Sequence, residues 1–142
     1  MKNSIFLLCI LCFMCTACGT DDMEPEAMTK KDMKDDTISG EVAYLGDFMN
    51  DAHPTSGIAS IGKSETSLNF TDFKTDNGPL LEVYLATDKE ASDYITLGEL
   101  KGIEGDFSYS IPKNVNLDKH KYVLIWCVDF SVNFGYAVLE MP

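Results

Sequence analysis

From Ile38 onward, apolar and polar residues alternate in short runs and show no sustained helical period of about 3.6 residues. Runs rich in valine, isoleucine, tyrosine and phenylalanine are separated at intervals of roughly ten residues by glycine, asparagine, aspartate and proline clusters, a spacing typical of all-β domains. The pattern predicts strands near 41–45, 57–61, 67–70, 81–86, 95–97, 107–111, 122–128 and 132–139. We therefore predict an antiparallel β-sandwich or flattened barrel of about eight strands.

The most apolar of these runs is Tyr122–Val128, which is short and apolar on both faces. Such a run is expected to form a strand that is buried on both sides. Alternation places Tyr122, Leu124, Trp126 and Val128 on one face, and Val123, Ile125 and Cys127 on the other. A thiol in an apolar strand is ordinarily inert packing, whereas a redox thiol or a thiolate ligand needs access and a lowered pKa. The residues alone favour packing for Cys127 and leave the second interpretation open.

The start of the chain has the composition of an export signal. A lysine is followed by the apolar stretch Ile5–Met14, which is too short to remain in a membrane as a spanning helix. The small residues Thr16 and Ala17, directly before Cys18, resemble the lipobox of bacterial lipoproteins. The resemblance implies a lipoprotein signal peptide over 1–17 and acylation of Cys18, by palmitate among other chains, which would hold the protein in a membrane. Cleavage of an ordinary signal peptide nearby is the alternative.

Residues 18–36 are predicted to be a flexible acidic tether, because they are densely charged and contain no aromatic side chain. The acidic residues soon after Cys18 are similar to the signal that sends some Gram-negative lipoproteins to the outer face of the outer membrane, and a solvated linker is the alternative. We therefore expect lipid anchoring to the outer membrane, on its periplasmic or cell-surface face. The folded domain is then 37–142, where Cys127 has no partner for a disulfide.

Charge excludes one class of partner. The chain has 23 acidic and 11 basic residues, for a net charge of −12, and every basic residue is a lysine. From residue 37 onward, sixteen acidic and seven basic residues leave about nine net negative charges. An acidic domain without arginine repels phosphate backbones and has no bidentate clamp for them. We therefore expect no nucleic-acid binding.

Residues 57–64, GIASIGKS, match the phosphate-loop pattern of nucleotide-binding proteins letter for letter. That mechanism needs a loop followed by a helix that begins at the lysine, whereas this segment and the residues after it alternate as strands. We therefore predict no nucleotide site. The segment 72–78 lacks the ligand register of a calcium loop, and no zinc, cupredoxin or nucleophile-elbow pattern occurs. The absence of a catalytic constellation favours a protein that is not an enzyme, with a role as an electron-transfer component left open. His120, between two lysines, is expected to be a solvated loop residue.

A set of short segments carries a family resemblance. They are GDF at 46–48 with His53, SGIA at 56–59, LNFTDF at 68–73, NGPL at 77–80, VYL at 83–85, LGELKG at 97–102, GDFSYSIP at 105–112, and 123–139 with its IWC. In this order they resemble the DM-thirteen domain, also called the electron-transfer DM domain, over about residues 43–139. The family is regarded as all-β and is proposed to act in electron transfer or oxidative modification at cell surfaces.

The resemblance implies that Cys127 matches the hallmark cysteine of the family, which is suggested to be a free thiol or to hold a group such as haem. It further implies Trp126 and Phe134 as the packing around this sulfur, and His53 as a second participant. The hypothesis is a membrane-anchored redox domain with a redox or surface-protein partner. The alternative is a non-catalytic surface binding or adhesion module in which Cys127 fills the core.

Overall fold

The computed structural model describes residues 41–142, and all regular secondary structure in this range is β-strand. The strands are β1 (Val42–Asn50), β2 (Thr55–Gly62), β3 (Ser67–Thr75), β4 (Leu81–Ala86), β5 (Tyr94–Glu99), β6 (Glu104–Ser110), β7 (Tyr122–Cys127) and β8 (Val132–Val138). The predicted signal peptide, acylated Cys18 and acidic tether lie outside the described residues. Within 41–142, no helix has the length and apolarity that crossing a membrane requires.

The eight strands form one sheet in the order β5-β4-β7-β8-β1-β2-β3-β6, and all seven neighbouring pairs are antiparallel. The sheet curls into a nearly closed barrel that brings the two edge strands, β5 and β6, towards each other. Just after β5, the backbone N–H of Lys101 donates a hydrogen bond to the Tyr109 hydroxyl of β6 at 3.0 Å. The predicted all-β fold is confirmed.

A continuous apolar core fills the barrel interior. Phe48 packs within it, with its ring centroid 4.9 Å from that of Phe70 and 5.0 Å from that of Phe73, both in edge-to-face geometry. This arrangement is favoured because the positive edge of one ring meets the negative face of another. Burying one such side chain contributes about 1.5–3 kcal/mol, so the core is the main source of stability.

A smaller apolar cluster covers the outer face of β4 and β7. Its buried members are Tyr84, Ala86 and Leu124, and the partly buried residues packed against them are Ala91, Tyr122, Trp126 and Tyr136. β7 is therefore covered on both faces, inside by the core and outside by this cluster. The continuous apolar run had predicted this, and the prediction is confirmed.

Three local predictions are wrong. β3 does not end at Phe70 but continues to Thr75, with a register shift between Phe70 and Phe73 in its pairing with β6. β1 does not end at Leu45 but continues to Asn50, because Gly46 lies inside the strand, where a Cβ atom would overlap the Val138 backbone. His120 is not solvated: its residue is 8% exposed, and its Nδ1 lies 3.3 Å from the Asn116 carbonyl oxygen. By contrast, the GIASIG segment lies in β2, between β1 and β3, as predicted for a strand.

Candidate functional site

Cys127 is the last residue of β7 and belongs to the interior core. It lies between Leu81 of β4 and Val132 of β8 in the sheet. The residue is 0% exposed, and it is a free cysteine. It belongs to the cluster of buried hydrophobic side chains that also contains Tyr109. The structure therefore puts the sulfur beyond direct contact with solvent or with another protein.

Trp126 does not form part of the packing around Cys127. It belongs to the outer cluster, whereas Cys127 belongs to the interior core. The reason is that successive side chains of a strand point to opposite faces of the sheet. Phe134, the other residue that the resemblance implied for this packing, does lie in the core cluster with Cys127. The packing assigned to Trp126 is corrected, and its redox role stays a prediction.

His53 lies in the β1–β2 connection and packs on Phe134. The two ring centroids are 3.8 Å apart with an interplanar angle of 28°, and the backbone N–H of His53 donates to the Phe134 carbonyl oxygen at 2.9 Å. On its other side, His53 Nδ1 lies 3.0 Å from Asp76 Oδ2. His53 therefore touches the core through Phe134, and among the hydrogen bonds of the described residues none joins it to Cys127.

The described residues do not fit a haem at Cys127. A haem ligand needs an open coordination position and a cleft within the roughly 300–1,000 Å³ range of ligand sites. Cavities of about 560, 260, 220 and 150 Å³ lie on the described part of the molecule, and Cys127 lines none of these four. Nor do residues 41–142 group three His, Cys, Asp or Glu side chains so that they could hold a metal ion.

Three aromatic rings form a stack across the outer faces of β5, β4 and β7, a feature that the sequence did not predict. Tyr94 and Tyr84 have centroids 4.2 Å apart and an interplanar angle of 12°, and Tyr84 and Trp126 are 6.0 Å apart at 22°. Neighbouring strands lie about 4.8 Å apart, which lets rings on one face stack from strand to strand. Tyr94 is 47% exposed and Tyr84 only 4%. We call Tyr94, Tyr84 and Trp126 the outer stack.

A carboxylate accompanies the outer stack. Glu82 precedes Tyr84 by two residues on the same face of β4 and lies opposite Trp126 of β7. The Thr96 hydroxyl donates a hydrogen bond to Glu82 Oε2 at 3.0 Å, which holds the carboxylate in place. Burial, and then the Glu82 charge and the Tyr94 hydroxyl, raise the pKa of Tyr84 to about 12. The Tyr84 phenol is therefore protonated at neutral pH.

Comparison with protein families supports the resemblance seen in the sequence. A family model described as "Electron transfer DM13" matches residues 47–139, a range that contains Cys127 and the outer stack. No curated protein and no solved structure matches the chain. Because the family model covers more than half of the 142 residues, the comparison is decisive for membership. The chain belongs to the electron transfer DM13 family.

Proposed function

We propose that this protein is an extracytoplasmic redox domain that exchanges electrons with a partner protein, with Cys127 as its redox sulfur. The observation that carries the proposal is the family match over 47–139, which includes nearly the whole barrel. Cys127 is the one cysteine in residues 41–142, and it is unpaired. These two facts together make its sulfur the first candidate for redox chemistry.

The depth of Cys127 limits how this chemistry takes place. A residue that is 0% exposed cannot meet a partner directly. Electrons must therefore reach the sulfur through neighbouring residues, or the end of β7 must open locally. Local opening would disrupt the pairing of Cys127 with Leu81 and Val132, so the route through neighbouring residues disturbs the fold less.

A redox titration tests the role of Cys127. The purified full-length protein would be titrated anaerobically with one-electron mediators, alongside Cys127→Ser and Cys127→Ala variants. We expect the oxidised mediator to take one electron from the Cys127 thiol of the wild-type protein, which releases its proton to the buffer and becomes a thiyl radical. The reduced mediator should reverse this step, and both variants should lack it. The same electron count in all three proteins would contradict the proposal. Added haem should keep the visible spectrum of free haem with all three proteins, because Cys127 is 0% exposed and lines none of the four cavities described above.

We also propose that lipid on Cys18 anchors the protein to the outer membrane, at its periplasmic or cell-surface face. The support comes from the sequence: small residues precede Cys18, and an apolar stretch lies before them. Mass spectrometry of the mature amino terminus should find an acylated Cys18 as the first residue. Cys18→Ala should leave the membrane fraction, and a variant that stays there unacylated would contradict anchoring by lipid.

Complete burial of Cys127 favours a second candidate function, a non-catalytic surface binding or adhesion module in which the sulfur fills the core. In this case a thiol reagent such as dithionitrobenzoate should react with Cys127 only as fast as the barrel unfolds. Rates measured across a urea series separate the two candidates. Reaction that follows global unfolding, with no electron loss from Cys127 in the native protein, supports the binding module, and fast native-state reaction contradicts it.

A further inference from the structure

The outer stack contains oxidisable rings, and one of them, Tyr94, is exposed at the molecular surface, whereas the thiol of Cys127 is buried. Phenol and indole rings are, after thiols, the side chains that most readily lose one electron. Parallel rings in close contact also overlap through their π systems, which allows an electron to pass between them. The 12° angle and 4.2 Å separation of Tyr94 and Tyr84 satisfy this condition. The exposed Tyr94 gives an external electron carrier a place to make contact.

Oxidation of a phenol also requires a place for its proton. A phenol that has lost an electron becomes a strong acid, so the electron and the proton leave together when a base is near. Glu82 is the carboxylate placed for this role: it lies two residues from Tyr84 on the same face of β4, and its charge acts on the Tyr84 phenol. The Thr96 hydroxyl donates a hydrogen bond to Glu82 Oε2 at 3.0 Å. In water a phenol transfers its proton to solvent, but Tyr84 is only 4% exposed.

We propose that the outer stack is an electron-exchange site and that Tyr84 is its redox-active residue. An oxidised one-electron carrier in contact with Tyr94 accepts one electron from Tyr84 through the Tyr94 ring. The phenolic O–H bond of Tyr84 breaks, and its proton passes to the Glu82 carboxylate. The products are the reduced carrier, a neutral tyrosyl radical at Tyr84 and a protonated Glu82. A reduced donor returns the electron at Tyr94, and the proton goes back to Tyr84.

Trp126 extends this site towards the sulfur. Its ring lies 6.0 Å from that of Tyr84, and it directly precedes Cys127 in β7. One ring and one peptide link therefore separate Tyr84 from the residue proposed to carry redox chemistry in the core. The inference rests on the redox role proposed above for the protein. It adds a place where a partner can touch the domain, at Tyr94, because the buried Cys127 cannot be touched directly.

Photochemical oxidation of the full-length protein tests the proposal. Flash excitation of ruthenium tris-bipyridine with persulfate generates a one-electron oxidant, and transient absorption and electron paramagnetic resonance detect the radicals formed. We expect a tyrosyl radical in the wild-type protein. Its yield should be largely lost in Tyr84→Phe, and its formation should be slower in Tyr94→Phe. Tyr136→Phe is the matched control, since Tyr136 lies in the same outer cluster but pairs with Tyr122 at 36° outside the outer stack. An unchanged radical yield in Tyr84→Phe, or its loss in Tyr136→Phe, would overturn the proposal.

The proton acceptor is tested separately. Glu82→Gln keeps the shape of the side chain but removes the base, and Glu99→Gln is its control because Glu99 lies opposite Glu82 on β5. We expect slower radical formation and a smaller deuterium isotope effect in Glu82→Gln, with Glu99→Gln behaving as the wild type. Equal rates and isotope effects in both variants would overturn the assignment of Glu82.

The same measurement in Cys127→Ser separates this inference from the function proposed for the thiol. The sulfur takes no part in oxidation of Tyr84, so the radical yield should match that of the wild type. A Tyr84 radical together with no electron loss that depends on the Cys127 thiol would overturn the role of Cys127 and support the outer stack. A wild-type protein that titrates through Cys127 but forms no Tyr84 radical would overturn the outer stack alone.

Discussion

Replacing Cys127 with serine puts a hydroxyl where the barrel holds a fully buried sulfur. Cys127 is 0% exposed and belongs to the buried hydrophobic cluster, so the new hydroxyl would lose its hydrogen bonds to water. A buried hydroxyl without a partner costs about 1–3 kcal/mol, and the lost contacts of the larger sulfur add about 1 kcal/mol. We therefore expect Cys127→Ser to lower the free energy of unfolding by roughly 2–4 kcal/mol, a large share of the typical ~5–15 kcal/mol.

Cys127→Ala is the matched control for this variant. It leaves a small cavity but introduces no polar group, so we expect a loss of about 1–2 kcal/mol. Serine should therefore be less stable than alanine, although serine fills more of the space. Urea unfolding followed by Trp126 fluorescence gives the free energy of unfolding of both variants. The dependence of this free energy on urea concentration should be the same in both.

Which of the two variants is more stable decides whether the sulfur of Cys127 lies in a dry core. If Cys127→Ser is as stable as Cys127→Ala or more stable, the sulfur lies in a polar or hydrated environment. That result would refute the dry, packed interior described for this position, and it would make direct chemistry at the thiol reasonable without any opening of β7. The comparison is robust because both variants remove the same sulfur.

Three further predictions follow from the structure. Folding raises the pKa of Tyr84 from 10.0 to about 12, so between these pH values the folded state keeps a proton that the unfolded state releases. The free energy of unfolding should therefore fall by about 2 kcal/mol from pH 10 to pH 12, and by less in Tyr84→Phe, as measured by urea unfolding at each pH. Gly135→Ala would place a methyl group on the Thr55 side chain, so we expect a loss of about 3 kcal/mol or more in urea unfolding, and a loss under 1 kcal/mol would contradict the tight contact. His53→Ala removes the ring stacked on Phe134 and should lower the thermal midpoint by an amount equivalent to about 1 kcal/mol, whereas an unchanged midpoint would show that the stack adds no stability.

The local pattern of the sequence is sufficient to predict the strands and their faces. The fourth strand is predicted to the residue, as Leu81–Ala86, and alternation alone separates Trp126 from Cys127. Alternation succeeds because the side-chain period of a strand is a property of the strand itself. It fails at Gly46, where the close approach of β8, a distant strand, keeps an apparent turn residue inside β1.

The outer stack could not be predicted, because it depends on which strands are neighbours. Alternation can place Tyr84 and Trp126 on faces of their own strands, but β4 and β7 are adjacent only in the folded sheet. His120 illustrates the same limit: its lysine neighbours indicate a solvated loop, yet Asp93, which lies just before β5, approaches its Nε2 to 3.6 Å. The outer stack and the surroundings of His120 both depend on contacts between residues that are distant in the chain. Such contacts cannot be deduced from the local pattern of one sequence.

The pairing of β1 with β8 delays closure of the barrel until the last of its eight strands has been made. Leu45 and Glu140 exchange two backbone hydrogen bonds, of 2.8 and 2.9 Å, although 95 residues separate them along the chain. Until β8 leaves the ribosome, β1 and β7 each keep an open edge, and long-range pairing of this kind forms slowly. β8 is the one strand that joins β5-β4-β7 to β1-β2-β3-β6 in the sheet. A chain that stops short of β8 would therefore leave two separate sheets, each with an edge that lacks its partner.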